Sequence, residues 1–367
     1  MKIYTHQSLK SNPKDAVAEL KENFNHNNIK AITFFASSNY NNEELISAMN
    51  DTFPNIQVWG VTTCGEIISN NITTDSIVAM AFTDEIIEDI KIEVVDNNNI
   101  NLMENIASFE KYYSTSITKL NSSKYFFLTY FNGLSKKEEV ILDELGEYSN
   151  LFIGGGSAAD NLVYQKAKTY ANGKFYDNAT IIALIKSKSR FGFEKMQSFV
   201  PTEHKVIATK VDEASRTIFE LNGKPAGTYF CEIVNVPNEK LQETFSSYAL
   251  GYIIDGQPFL RALQFRGDNS ILGTGCAIKE GMELVIMKSI NLIEDTKQHL
   301  EEVKKKYNTI SALLTFDCGY RFYELTQSNS IPEYTKLFND LPVIGFYTYG
   351  ETYLGHLNQT LVMLVFE

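Results

Sequence analysis

The chain has 367 residues, a formal net charge of −12, 44% hydrophobic and 12% aromatic residues. That apolar content fills large packed cores and excludes a disordered chain. The acidic balance, with no dense Lys/Arg block, argues against nucleic acid or an anionic membrane as partner, because phosphate neutralisation needs a basic face.

The N-terminal Met1-Lys2-Ile3-Tyr4-Thr5-His6 is followed by no apolar core of a signal peptide. No run reaches the ~18 apolar residues of a membrane span. A soluble, cytoplasmic protein is expected. Cys64, Cys231, Cys276 and Cys318 lie far apart without CxxC spacing, which suits free thiols in a reducing compartment better than a zinc knuckle or disulfide framework.

In chain order, a first unit opens with the buried-strand run Ala31-Ile32-Thr33-Phe34-Phe35-Ala36. Asn41-x-x-Glu44 reads as a capping box, and Leu45, Ala48, Met49, Thr52 and Phe53 follow at helical spacing. The strand Ile56–Trp59 ends in Gly60-Val61-Thr62-Thr63-Cys64-Gly65-Glu66, and Ser76–Phe82 closes the unit. A further strand, Ile90–Val95, and a helix over 101–113 lead on.

The same order returns at Phe126–Phe131, with Ser135-x-x-Glu138 as cap and Ile141, Leu145 and Tyr148 as the helix face. Leu151-Phe152-Ile153 then runs into Gly154-Gly155-Gly156-Ser157-Ala158-Ala159-Asp160, and 179–185 closes. Tyr164 to Tyr176 reads as a hairpin around Asn172-Gly173. That hairpin, and the acid before it, exclude a phosphate loop, which needs a helix N-terminus next.

From 205 to 266 the pattern suggests a diverged fourth unit, beginning with a hairpin of 206–210 and 217–220. A strand over 282–287 and a long helix over 292–307 precede the third clear unit. Its strand is Ala312–Phe316, its cap Ser330-x-x-Glu333 with Pro332 in the first turn, and its loop Gly345-Phe346-Tyr347-Thr348-Tyr349-Gly350-Glu351. Thr360–Phe366 ends it.

The loop thus reads Gly-x-x-[Thr/Ser]-x-[Gly/Ala]-[Glu/Asp] three times. Cap and motif glycine are separated by 19, 19 and 15 residues (41 to 60, 135 to 154, 330 to 345), the third helix being shorter by about one turn. The fold expected is α/β in the mixed α+β sense: repeated β-α-β-β units forming mixed sheets flanked by helices, in two pseudo-symmetric halves, 1–195 and 196–367.

Each motif lies past the carboxyl end of a strand, where ligands of α/β folds sit. Glu66, Asp160 and Glu351 supply carboxylates and Arg321 a planar fork for a ligand carboxylate. A zwitterionic ligand would complement both. The same residues also serve as turn chemistry, with the acids capping backbone N–H groups and Asp317 pairing Arg321. Cys64 and Cys318 stand at strand ends without a histidine tied to them, so buried small apolar residues describe them better than nucleophiles. No GxSxG elbow or HExxH helix is present, and no enzyme is expected.

Five segments together resemble the FIST family of sensory proteins. Val58-Trp59-Gly60-Val61-Thr62-Thr63-Cys64-Gly65-Glu66-Ile67 and Ile153–Asp160 resemble motifs of its N-terminal domain. Leu221-Asn222-Gly223-Lys224-Pro225-Ala226 with Tyr229, Phe316-Asp317-Cys318-Gly319-Tyr320-Arg321, and Phe346–Glu351 with Asn358-Gln359-Thr360 resemble motifs of its C-terminal domain. Asp317 stands where Ser is more usual, and Ala159 replaces a glycine.

The resemblance implies a bacterial signal-transduction module that binds a small, amino-acid-like ligand. It would signal to a separate partner such as a histidine kinase, cyclase or chemotaxis component. Residues expected at the ligand are Thr62, Thr63, Cys64, Glu66, Ser157, Asp160, Cys318, Arg321, Thr348, Tyr349 and Glu351. The resemblance also raises a heme-binding nitric-oxide sensor as an alternative, with His356 before His204 as axial ligand; a non-ligand-binding scaffold is the other. No metal and no other cofactor are expected.

Overall fold

The computed structural model describes residues 3–367. It is a mixed α+β fold of repeated β-α-β-β units, and the chain divides into two compact units. Unit 1 comprises Met1–Lys195, His299–His356 and Leu361–Glu367; unit 2 comprises Met196–Gln298 and Leu357–Thr360. Unit 1's first segment ends at Lys195, and the chain returns to unit 1 at His299.

Unit 1 holds all three repeats. In each, an opening strand pairs parallel with a second strand and antiparallel with a closing strand. The opening strands are Ile29–Ser37, Tyr125–Asn132 and Ala312–Cys318. The second strands are Gln57–Thr63, Phe152–Ala158 and Val343–Thr348. Parallel neighbours need a crossover, which the helices Asn42–Thr52, Glu138–Tyr148 and, in the third repeat, Gly319–Gln327 with Ile331–Lys336 provide. An outer strand, Ile3–Ser8, Ile87–Asp96 or Phe191–Gln197, borders each closing strand.

The caps differ in how they act. Asn41 accepts the Glu44 amide at 3.1 Å, as its spacing predicts. Ser135 instead donates to the Asn132 carbonyl at 2.7 Å, and the second helix starts at Glu138 behind Lys137. Ser330 occupies the cap position of its helix without a side-chain cap bond, Pro332 filling the first turn.

A small hairpin follows each second strand: Glu66–Ile68 with Asn71–Thr73, Thr169–Ala171 with Lys174–Tyr176, and Glu351–Tyr353 with Gly355–Leu357. None of these joins its own repeat's sheet. The first pairs with Val343–Thr348, the second with Gln57–Thr63 and the third with Phe152–Ala158. Three six-stranded sheets result, each completed by the hairpin of another repeat in a closed cycle. Their inner faces share one core in which Phe35, Phe346, Phe316 and Tyr130 meet ring to ring.

Register shows which residues correspond. A Cβ on Gly60, Gly155 or Gly345 would lie 2.2, 1.9 and 2.1 Å from the carbonyl oxygens of Phe34, Thr129 and Thr315, so only glycine lets the paired strands approach at these three places. Glu66 stands opposite Phe346 and Glu351 opposite Gly156, each one residue past a glycine; Thr169, opposite Val61, holds that place in the second repeat. Asp160, equated with the two glutamates by sequence spacing, belongs instead to an extended loop, 159–168, inserted before its hairpin.

Unit 2 folds on another plan. Its strands, from Phe199–Asp212 to Glu283–Ser289, pair antiparallel in one eight-stranded sheet around the core of Val206, Ile218, Leu250, Leu284 and Ile286. The hairpin expected after 205 is present, between Phe199–Asp212 and Thr217–Leu221. A fourth repeat over 205–266 is not, because among the described residues no parallel strand pair forms there. Among the described residues no helix is long and apolar enough to cross a membrane.

Candidate functional site

The exchanged hairpins bring the three motif loops of unit 1 into mutual contact. Cys64 N donates to Tyr347 O at 3.2 Å and Tyr347 N to Gly65 O at 2.8 Å, joining the first loop to the third. Ala159 N donates to Thr62 O at 2.9 Å and Asn161 N to Thr63 O at 3.2 Å, joining second to first. Ser157 N donates to Gly350 O at 2.8 Å, and the Thr348 hydroxyl donates to Ser157 O at 2.7 Å, joining third to second.

Most predicted site residues lie at this junction, wholly buried: Thr62, Thr63, Glu66, Ser157, Asp160, Thr348 and Glu351. Cys64 and Cys318 are also buried, and a Cβ on Gly319 would lie 3.3 Å from Cys64 Sγ, so the end of the Ala312–Cys318 strand abuts the first loop. Tyr349 is half-buried. Ser157 Oγ donates to Glu138 at 3.1 Å, and the Thr62 hydroxyl accepts Lys168 N at 2.8 Å.

The two well-defined carboxylates are held differently. Glu66 receives the Thr63 hydroxyl on one oxygen and the amide and hydroxyl of Ser76, at 3.1 and 2.9 Å, on the other. Burial pushes its pKa up to about 7, against the pull of those three hydrogen bonds. Asp160 accepts the amides of Tyr164, Gln165 and Lys166 at 2.8, 2.6 and 2.6 Å and the Tyr349 hydroxyl. It therefore clasps the 159–168 loop.

That loop carries Asn161, Leu162 and Tyr164 at positive φ (54°, 62° and 60°), a left-handed conformation that L side chains adopt at a cost. Its Tyr164 ring, 51% exposed, stacks on Tyr349 at 4.4 Å and 12°. Leu162 reaches within 3.4 Å of a Gly319 Cβ position, so the loop lies over Cys64 and Gly319. Burial holds the Cys64 thiol well above its ordinary pKa, and Glu66, Asp160 and Glu351 add to the effect. The three acids thus share one neighbourhood, and the thiol stays protonated, the opposite of what a nucleophile needs.

Arg321 stands in the first turn of the Gly319–Gln327 helix and pairs with Asp317. Its Nε donates to Asp317 at 2.6 Å, its Nη2 to the Tyr334 hydroxyl at 3.4 Å, and Tyr334 donates to Asp317 at 2.6 Å. Burial works against the guanidinium's charge, and Asp317 and Tyr334 together more than offset it.

His356, buried, sets Nδ1 2.9 Å from Glu139, and a Cβ on Gly350 would lie 2.0 Å from its Nε2. Both ring nitrogens face packed protein, and the enclosed imidazole leaves no face for a macrocycle, so heme does not fit at His356. His204 lies exposed on the strand Phe199–Asp212 of unit 2.

Sequence reasoning missed Ser76, Glu138 and Tyr164. Ser76 was legible only as a strand start, Glu138 as a cap residue, and Tyr164 as the start of a hairpin that in the structure begins at Thr169.

Residues 30–224 match the model of the FIST N domain, and residues 226–353 that of the FIST C domain. The chain belongs to the FIST family. FIST domains are sensory, signal-transduction domains, and the N and C matches account for the two halves of the sequence. An uncharacterized protein of the archaeon Methanocaldococcus jannaschii is 24% identical to the FIST chain over 324 residues, which is 83% of this chain and 62% of that protein. The chain thus spans about three fifths of that relative's length.

Proposed function

We propose that this FIST protein receives a small, amino-acid-like ligand at the junction of the three motif loops and signals to a separate protein, such as a histidine kinase, cyclase or chemotaxis component. One observation carries the reading: three loops from separate repeats meet through hydrogen bonds at strand ends, where a bound molecule would touch all three at once. Arg321 is committed to Asp317. The ligand's ammonium group, rather than its carboxylate, is then what the acid-rich junction recognises.

Because the motif side chains are buried, entry requires the 159–168 loop to lift, breaking the Asp160 clasp and the Tyr164–Tyr349 stack. A ligand that holds the loop in one position changes the surface at Val163 and Tyr164, which gives a partner something to read. The protonated thiol of Cys64 supports a receptor over a catalyst.

The test is a thermal-shift screen of the protein against the twenty amino acids, repeated with Tyr349→Phe. The reading expects at least one amino acid to raise the melting temperature and the shift to shrink in Tyr349→Phe. If the substitution lowers stability but leaves every ligand response intact, the motif serves the fold alone and the scaffold reading replaces this one.

A further inference from the structure

Unit 2 contains a groove that the motif loops play no part in. The helix Ala226–Val234 packs on one face of the sheet through Phe230 and Cys231. It is nine residues long and stops at Val234, where Asn235 turns into the left-handed conformation at φ 55°. The sheet continues beyond it: Tyr248 and Lys288 are cross-strand partners two pairs past Leu250 and Ile286. The uncovered step is a concavity of about 390 Å³, within the size range of small-ligand sites.

Its walls are chemically divided. Ile233, Val234, Ile286 and Tyr248 form an apolar floor, and Thr202, Glu203, His204 and Lys288 form the rim. The rim is built by a bulge. Pro201 pairs with Met287 but Lys205 with Val285, so the strand Phe199–Asp212 gains two residues over its neighbour between these pairs. Thr202 fixes the bulge, donating to Ile286 O at 2.8 Å and accepting His204 N at 3.2 Å. Bulges of this kind re-aim side chains, and this one sets His204 at the mouth.

The Lys288 side chain makes no ion pair or hydrogen bond among the described residues. Glu203 also lines the rim, its side chain 89% exposed and 4.0 Å from His204. Lys288 is the rim cation whose side chain has no carboxylate partner among the described residues, Glu203 lying beside His204 instead, in a chain whose net charge is −12. The carbonyl end of the helix lies over the floor, and its negative dipole keeps an anion away from that end.

We infer that this groove is a second binding site, for a small organic anion with a flat or branched apolar body: the body lies under Val234 against Ile286 and Tyr248, and the carboxylate faces Lys288. The site is independent of the ligand proposed for the motif loops.

The test uses two probes with the same aromatic body and opposite charge, phenylacetate and phenethylamine, titrated into the full chain by ligand-observed NMR. Phenylacetate is expected to saturate and to bind at least about tenfold more tightly than phenethylamine, the discrimination of one charge-assisted contact. Lys288→Gln, a surface change that leaves the core intact, is expected to erase that difference. Val234→Trp, which fills the groove from its edge, is expected to remove binding of both. Equal affinities for the two probes, an unchanged phenylacetate affinity in Lys288→Gln, or no saturation up to about 20 mM, beyond what so small a ligand should need, would overturn the inference.

Discussion

Glu66 offers the sharpest physical consequence of the loop junction. Its carboxyl is wholly buried, and its pKa is raised from 4.5 to about 7, first by burial. An acid whose folded pKa exceeds its unfolded value binds its proton more tightly in the folded state. It therefore favours the fold below pH 4.5, and that advantage is lost as pH rises through 7. Between pH 5 and pH 8 the loss amounts to about 2.5 kcal/mol, at 1.36 kcal/mol per pKa unit. Glu66→Gln keeps the shape, still accepts from Ser76 and can donate to Thr63, but does not titrate. The stability difference between variant and parent, measured by urea denaturation at half-unit steps from pH 5 to 8, is expected to shift toward the variant by about 2.5 kcal/mol over that range. Parallel curves for the two proteins would show that Glu66 is ionised in the folded state at pH 5 and would refute the burial argument.

Other consequences are as direct. Gly345→Ala drives a methyl into the Thr315 carbonyl and should cost about 1–3 kcal/mol or more of unfolding free energy, whereas Gly355→Ala, with open space around it, should cost under about 1, as chemical denaturation will read. Arg321→Met leaves Asp317 buried without its cation and should cost about 3–5 kcal/mol, with Asp317→Leu in the same chain restoring most of it. Asp160→Asn weakens the clasp on three amides and should speed alkylation of Cys64 and Cys318 at least about tenfold, while Cys231 and Cys276 hold their rates; the same increase at all four thiols would mean general unfolding instead.

The repeats were legible because each rests on local rules. Apolar runs such as Phe126–Phe131 and Leu361–Phe366 read as buried strands, and Asn41 acts as the cap its spacing announced. The cyclic exchange of hairpins was not legible. Glu66–Ile68 and Glu351–Tyr353 are three-residue strands whose partners lie in another repeat, and nothing within three residues encodes a partner 280 (66 to 346) or 195 (156 to 351) positions away.

The same limit hid the true correspondence of Asp160. Its spacing from Gly154 copies that of Glu66 from Gly60, and only the pairing of Thr169 with Val61 shows that the second loop is longer. Arg321 could be assigned to a ligand or to Asp317 by sequence alone, since the acid stands only four residues away, on the preceding strand. The 2.6 Å contact reports where the side chain went. The groove in unit 2 depends on where a helix stops over a sheet, which is a matter of packing that no motif records.

We place ligand entry beneath the 159–168 loop. The most direct measurement is a mass-resolved map of cysteine alkylation, taken with and without each amino acid that shifts the melting temperature. The account predicts that such a ligand changes the rates at Cys64 and Cys318 and leaves Cys231 and Cys276 alone. A ligand that stabilises the protein yet leaves Cys64 and Cys318 unchanged would place its site elsewhere and contradict the claim.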